Sequence, residues 1–286
     1  MRIIVLGLIS GCVFSLFATA LVVVYRATGI LNFAQGAVGM VGTFTFVALA
    51  GHVHVLLALA GGIAVAGFLG GLLAVATGPL GDRRLEATVL TLAAVSLLQT
   101  GAQMVFGGHP LAVSRLLPLG LVSLPGARVG LDELLAALIA LAACGGVVVV
   151  MQRSRMGLAA RAIASRPSVV AALGIDDRPI IAGSWVVAGM LAGLGGILFL
   201  SLEPAPDTAT LTLLVIDSFA AALFGRLVSL PGAILGGLII GVAEQATEAV
   251  IPLAGAGEAA MFVVMIAVLG AFPPASVRGA ARRAAL

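Results

Sequence analysis

The feature that most constrains this chain is a succession of long apolar segments that almost exclude charge. The first, residues 3–25, reads IIVLGLISGCVFSLFATALVVVY and contains no charged side chain. A run of about 20 apolar residues, folded as a helix, crosses the hydrocarbon core of a bilayer. Only 9% of the whole chain is charged and 61% is hydrophobic, whereas soluble domains carry roughly 25% charged residues. The sequence therefore predicts an all-α polytopic membrane bundle, built as a single domain over residues 1–286.

Nine segments reach or approach the length of a membrane span. They cover residues 3–25, 37–51, 55–80, 87–106, 131–151, 180–202, 211–224, 233–251 and 259–272. The second and the seventh are short for a full crossing, so each either begins inside a neighbouring loop or is re-entrant. We therefore expect eight or nine transmembrane helices. The first segment also resembles a signal peptide, but its apolar run is too long for one, and we expect a retained helix.

The arginines predict the orientation of the bundle. All 15 basic residues are Arg, and we place the loop after the fifth span in the cytosol. Alternation then puts twelve on the cytosolic side, Arg26, Arg83, Arg84, Arg153, Arg155, Arg161, Arg166, Arg178, Arg226, Arg278, Arg282 and Arg283, and three outside, Arg2, Arg115 and Arg128. Because cytosolic loops are enriched in Arg, the N-terminus is predicted outside and the C-terminus inside, in the inner (plasma) membrane. Tyr25 and Trp185 fall near cytosolic span ends, where such rings prefer to lie.

Small residues recur at four-residue spacing within the spans. The pairs are Gly7/Gly11, Gly67/Gly71, Gly189/Gly193, Gly232/Gly236 and Gly237/Gly241. Such pairs let helix backbones approach closely in lipid. They predict tight helix packing, or alternatively room left for a solute path.

A charged loop of residues 152–179 interrupts the apolar pattern. Residues 158–165 have helical character, Pro167 fits the first turn of a second short helix over 168–173, and Gly174 fits its C-terminal cap. Connections of two to eight residues suffice between helices of a bundle. The extra length predicts a docking surface for a soluble partner.

Several polar side chains are predicted at membrane depth, where they are costly and need a reason. Asn32 and Gln35, bracketed by glycines, either line a substrate path or satisfy a non-helical turn. A polar series along the fourth span either bonds neighbouring helices or lines a passage, and two carboxylates lie on a path or at a subunit interface. The predicted path residues are Asn32, Gln35, Thr91, Ser96, Gln99, Asp217 and Glu244. No metal site is predicted, and Cys12 and Cys144 are expected to be buried small hydrophobes.

Three ordered blocks resemble the LivH-type permeases of branched-chain amino acid ABC importers. The blocks are GILNFAQGAVGMVGTF (29–44), AGMLAGLGGIL (188–198) and SLPGAILGGLIIGVAEQ (229–245). VVAALGI (169–175) is similar to the E-A-A-x-x-x-G coupling motif, with Val170 in place of the acid. The chain departs from the family at Gln35 and Ala37, where His and Glu are usual, and at Arg226, which interrupts a usual Gly-Gly.

The resemblance implies a permease subunit of an ATP-driven uptake system. Its expected partners are a second related permease, two cytosolic ATPase subunits and an extracytoplasmic solute-binding protein, with no nucleic acid. The residues expected to couple to the ATPase are Ser168, Val170, Ala171, Ala172, Leu173 and Gly174. The family's substrates are aliphatic amino acids, with urea and short amides in sister groups.

The chain itself cannot carry a P-loop, because that motif needs a Lys and the sequence contains none. ATP and Mg are therefore expected on the partners, and no enzyme activity is expected here. An ion-coupled secondary transporter, with Asp217 and Glu244 as coupling carboxylates, is the alternative from another class. An intramembrane enzyme is disfavoured because no G-x-S-x-G or H-E-x-x-H motif occurs.

Overall fold

The computed structural model describes residues 2–81, 83–107, 120–124, 127–165, 176–203, 205–251 and 256–271. These residues form ten α-helices and one β-hairpin. The helices are α1 (Arg2–Thr28), α2 (Gln35–Ala50), α3 (Val55–Thr77), α4 (Arg84–Phe106), α5 (Leu131–Arg153), α6 (Arg155–Ser165), α7 (Arg178–Phe199), α8 (Thr208–Phe224), α9 (Leu230–Val250) and α10 (Ala256–Ala271). The hairpin pairs β1 (Leu121–Leu124) with β2 (Ala127–Gly130) in antiparallel register.

All nine predicted spans are helices, with ends displaced by at most three residues from the predicted ones. Among the described helices, six are long and apolar enough to cross a membrane: α1, α3, α4, α5, α7 and α9. The predicted helical membrane bundle is confirmed, and α2 and α8 are the shorter apolar helices that the sequence singled out. One short β-hairpin accompanies the helices. Val129 of β2 packs with Ile9 near the start of α1.

The first segment, which resembled a signal peptide, forms the centre of the bundle. From Gly11 to Val24 every residue of α1 is buried, and α1 packs against α5, α7, α8 and α9. The side chains of Phe14, Phe17 and Trp185 are among the largest that are fully buried. The segment is therefore part of the folded core.

The glycine pairs lie where helices touch. A β-carbon on Gly11 of α1 would be 2.7 Å from the carbonyl oxygen of Gly237 in α9. One on Gly193 of α7 would be 2.6 Å from the β-carbon of Ala66 in α3. Contacts this short exclude larger side chains, so the predicted close packing is confirmed for the α1–α9 and α3–α7 pairs.

The order of these contacts fixes which helix ends lie together. Gly7 meets Val242 while Gly11 meets Leu238, so α1 and α9 are antiparallel. Gly67 meets Met190 while Gly70 meets Trp185, so α3 and α7 are antiparallel as well. One end, here called the arginine-rich end, therefore collects Arg26, Arg83, Arg84, Arg153, Arg155, Arg161, Arg178 and Arg226, whereas Arg2 and Arg128 lie at the opposite end. This separation agrees with the arginine-based orientation, in which the arginine-rich end faces the cytosol.

The prediction for Trp185 was wrong. Its side chain is 0% exposed, because α7 is enclosed by α1, α2 and α3. The ring lies inside the bundle and not at a membrane interface.

Candidate functional site

The 29–34 segment joins α1 to α2 without helical structure. Gly29, at φ 72°, ends α1 and donates its N–H to the carbonyl of Tyr25 over 2.7 Å. At the other end of the segment, Gln35 contacts Ala188, which lies midway along α7. The segment therefore runs from the arginine-rich end to the middle of the bundle, and α2 begins at membrane depth.

The side-chain amides of Asn32 and Gln35 are hydrogen-bonded to each other and to backbone groups. The Asn32 Nδ2 donates to Gln35 Oε1 over 2.7 Å, and its Oδ1 accepts from the Ala34 N–H over 3.1 Å. Gln35 Nε2 donates to the Ala188 carbonyl over 2.7 Å. The two residues are 3% and 1% exposed. In this conformation they stabilise the turn and do not face an open passage.

Thr91 of α4 holds the same segment from the other side. Its hydroxyl accepts a hydrogen bond from the Phe33 N–H over 3.2 Å, and it lies 3.2 Å from the Leu31 carbonyl oxygen. The Phe33 ring packs on Phe219 of α8, with centroids 4.8 Å apart. The 29–34 segment is thus fixed to α4, α7 and α8 together, which makes it a junction of the bundle.

In the described part of the chain, the polar residues further along α4 make no hydrogen bond with the 29–34 segment. Ser96, Thr100 and Gln103 are exposed and Gln99 is half-buried. Gln103 Nε2 donates to the Thr208 hydroxyl at the start of α8 over 3.1 Å. Of the two amides Gln99 and Gln103, which are four residues apart, Gln103 makes an interhelical hydrogen bond.

The two predicted carboxylates lie on different helices. Asp217 is buried near the middle of α8, whereas Glu244 is half-buried on α9. A β-carbon on Gly257 of α10 would be 3.2 Å from Glu244 Cγ. The seven predicted path residues therefore do not converge: three gather at the 29–34 segment, two lie on outward α4, and two stand apart. No cluster of metal-binding side chains occurs among the residues that the structure describes.

Asp207 caps α8 at the end opposite the arginines. Its carboxylate accepts a hydrogen bond from the Thr210 N–H over 2.7 Å. This backbone hydrogen bond holds the pKa of Asp207 below its usual value, because it favours the ionised form. The cap is therefore charged throughout the physiological pH range.

The predicted coupling residues, from Ser168 to Gly174, lie outside the described residues, but the helix that leads to them is described. The α5–α6 elbow, residues 151–161, turns sharply at the arginine-rich end. Ser154 Oγ accepts from the Gly157 N–H over 3.0 Å, and Arg161 donates to the carbonyl oxygens of Met151 and Gln152. A β-carbon on Gly157 would be 2.6 Å from Met151 Cα. The elbow therefore fixes the position of α6.

A small apolar crevice lies beside the elbow, between the ends of α1, α5, α6 and α9. It is lined by Val23, Arg26, Met151, Ala160, Arg161 and Leu230. Ala160 and Ile163 of α6 are buried, so this short helix packs onto the bundle with its apolar side. The sequence indicated a helix here, but it gave Arg161 and Gly157 no special role.

Comparison with known proteins identifies the family. The profile described as "Branched-chain amino acid transport system / permease component" matches residues 3–269. The chain is 31% identical over 254 residues to the high-affinity branched-chain amino acid transport system permease protein BraD of Pseudomonas aeruginosa, covering 83% of each protein. It is 29% identical to the probable branched-chain amino acid transport permease protein LivH of Methanocaldococcus jannaschii, covering 80% of this chain and 75% of that protein.

A third relative, the high-affinity branched-chain amino acid transport system permease protein LivH of Escherichia coli K12, is 26% identical over 85% of this chain and 84% of its own length. No solved structure shows significant similarity to the chain. The profile covers nearly the whole sequence, and six of the described helices are long and apolar enough to cross a membrane. The chain therefore belongs to the branched-chain amino acid transport permease family and is a multi-pass membrane protein.

Proposed function

We propose that the chain is the permease subunit of an ATP-driven importer of branched-chain or other aliphatic amino acids. The observation that carries the proposal is the family match over residues 3–269. The curated relatives are named as branched-chain amino acid transport permeases. Their alignments cover most of both chains, so the comparison concerns whole permeases and not a shared fragment.

The energy for transport is assigned to partner subunits. The sequence contains no Lys and so lacks the P-loop lysine that contacts nucleotide phosphates. ATP and Mg are then bound by two cytosolic ATPase subunits that dock on the loop 152–179. A second related permease and an extracytoplasmic solute-binding protein complete the proposed complex.

The α5–α6 elbow supports a mechanical role for that loop. Because Arg161 and Gly157 hold α6 against the end of α5, a force on the loop reaches α5 and also α1, which α6 contacts. The close contact between α1 and α9 then transmits the force from α1 to α9. Rigid helix pairs of this kind move as units when a partner closes.

Reconstitution tests the proposal directly. The chain is placed in proteoliposomes with its second permease, ATPase subunits and binding protein, and uptake of radiolabelled leucine is measured. We expect uptake only when ATP and all partners are present. Uptake by this chain alone, driven by an ion gradient without ATP, would favour the secondary transporter and exclude the proposal.

The coupling residues are tested separately. The double change Ala171→Asp and Ala172→Asp places two charges on the proposed docking helix, and we expect ATP-driven uptake to be abolished while membrane insertion is retained. The control is Asp176→Ala, which changes the charge at an exposed position of the same loop outside the docking residues. Full transport by the double variant would remove the coupling role of residues 168–174.

The solute is tested at the binding protein. Titration of the purified partner with leucine, isoleucine, valine, urea and acetamide is expected to show binding of the aliphatic amino acids. Selective binding of urea or acetamide would assign the importer to short amides.

A further inference from the structure

One side of α4 is polar and uncovered. Of the six long helices, α4 is the least buried by the rest of the described chain. Counted from Ser96, Gln99, Thr100 and Gln103 follow at three, four and seven residues, so the four share one side of the helix. These four residues are here called the α4 polar flank. The bond from Gln103 to Thr208 places the last residue of this flank beside the start of α8.

The α4 polar flank lies at the depth of the membrane interior. Ser96 is twelve positions beyond the first residue of α4, which at 1.5 Å per residue is about 18 Å along the helix. The flank extends from there towards the end opposite the arginines. Within the described residues, no hydrogen bond involves the side chains of Ser96, Gln99 or Thr100, and Gln103 bonds only Thr208.

Lipid does not suit this surface. Hydrocarbon cannot hydrogen-bond, so hydroxyl and amide groups facing it lose the bonds that water would supply. Leu97, about 100° round the helix from Ser96, and Met104 border the flank on its Thr100 side and are 74% and 82% exposed. The exposed surface of α4 therefore changes from polar to apolar across Thr100, and only the apolar part suits lipid tails.

We propose that the α4 polar flank forms one wall of a water-filled solute path that opens at the end opposite the arginines. The assignment rests on the proposed function, because it states where the importer's solute passes. Amides and hydroxyls offer both donors and acceptors without net charge. They fit a small solute that carries both kinds of group and is neutral overall, such as a zwitterionic amino acid.

Cysteine labelling of the assembled transporter tests the path. The two native cysteines are 5% and 0% exposed, and changing both to Ala removes any remaining background. Ser96→Cys and Gln99→Cys report the polar flank, while Leu97→Cys and Met104→Cys are controls on the neighbouring apolar surface. Intact cells receive a charged, membrane-impermeant methanethiosulfonate from outside, and the rate of modification is measured.

We expect the flank cysteines to react at least about 10-fold faster than the controls. The reagent attacks the thiolate, and an apolar environment raises a thiol pKa by a unit or more, each unit lowering the thiolate population about 10-fold. Leucine with its binding protein is expected to slow labelling at the flank and to leave the controls unchanged.

Two results would overturn the path. If the flank cysteines react only with a lipophilic maleimide, as the controls do, the flank faces lipid. If they react with neither reagent, the flank is a packed protein contact. Labelling needs no ATP, so the outcome is separable from the uptake experiment: flank labelling without ATP-driven uptake would leave the path standing and remove the proposed importer.

Discussion

At the scale of single residues, position 35 requires a side chain that donates and accepts at the same time. Gln35 donates to the Ala188 carbonyl and accepts from Asn32. The LivH-type pattern usually has His at this position, and a neutral imidazole also carries one donor and one acceptor. The departure at residue 35 therefore preserves the bonding pattern of the turn, although the residue type differs.

This requirement predicts an ordered response to substitution. Gln35→His is expected to retain the stability of the parent, whereas Gln35→Leu leaves the Asn32 amide and the Ala188 carbonyl unsatisfied and lowers the free energy of unfolding by about 1–3 kcal/mol. The measurement is denaturant unfolding in detergent. Gln152→Leu is the control, because Gln152 has an exposed side chain. Equal stability of the Leu and His variants would show that the turn does not depend on these bonds.

At the scale of helices, the α1–α9 contact depends on the absence of side chains. Gly11→Ala places a methyl group 2.7 Å from the Gly237 carbonyl oxygen, and the backbones must separate to admit it. Overpacking of this kind costs about 1–3 kcal/mol, so we expect a lower thermal midpoint in detergent. Gly146→Ala is the matched control, because nothing lies within 4 Å of its added methyl group. A Gly11→Ala variant as stable as this control would contradict the tight contact.

The α5–α6 elbow gives a second prediction for an element. Arg161→Ala removes the guanidinium that holds two carbonyl oxygens at the end of α5. A hydrogen bond from a charged group contributes about 1.5–3 kcal/mol, so α6 should lose its fixed position. In the reconstituted complex we expect more ATP hydrolysed per leucine transported.

Arg153→Ala controls for the loss of charge, because Arg153 is exposed at the end of α5. If both variants raise the ratio of ATP to leucine equally, the effect comes from charge alone and the elbow does not transmit motion.

These helices and contacts separate what local sequence patterns predict from what only the folded structure shows. Span length and glycine spacing are local patterns, so they predicted the helices and their close packing, but not that α1 meets α9. The Asn32–Gln35–Ala188 bonds and the role of Arg161 depend on distant segments meeting, which no local spacing encodes. Arg226 shows both contributions. The family pattern indicated that Gly is usual at this position, and the structure gives the reason, because the backbone there has φ 53°, a conformation that favours Gly.

At the scale of the whole molecule, the distribution of arginines and the antiparallel helix packing define the same long axis of the bundle. The tight helix pairs are antiparallel, and this alternation brings eight described arginines, Arg26, Arg83, Arg84, Arg153, Arg155, Arg161, Arg178 and Arg226, to one end. The elbow and the start of the 29–34 segment lie at that end, whereas the α4 polar flank extends to the other. The proposed docking surface and the proposed path entrance are therefore separated by the thickness of the bundle.

That axis predicts the orientation in the cell. Retention of Arg-rich loops in the cytosol places His52 outside and Arg83 inside, and both side chains are exposed. In a background lacking the two native cysteines, His52→Cys should react with an impermeant maleimide in intact cells. Arg83→Cys should react only after the membrane is permeabilised. The reverse pattern would place the elbow outside the cell, where no ATPase is available to drive it, and would remove the proposed coupling together with the orientation.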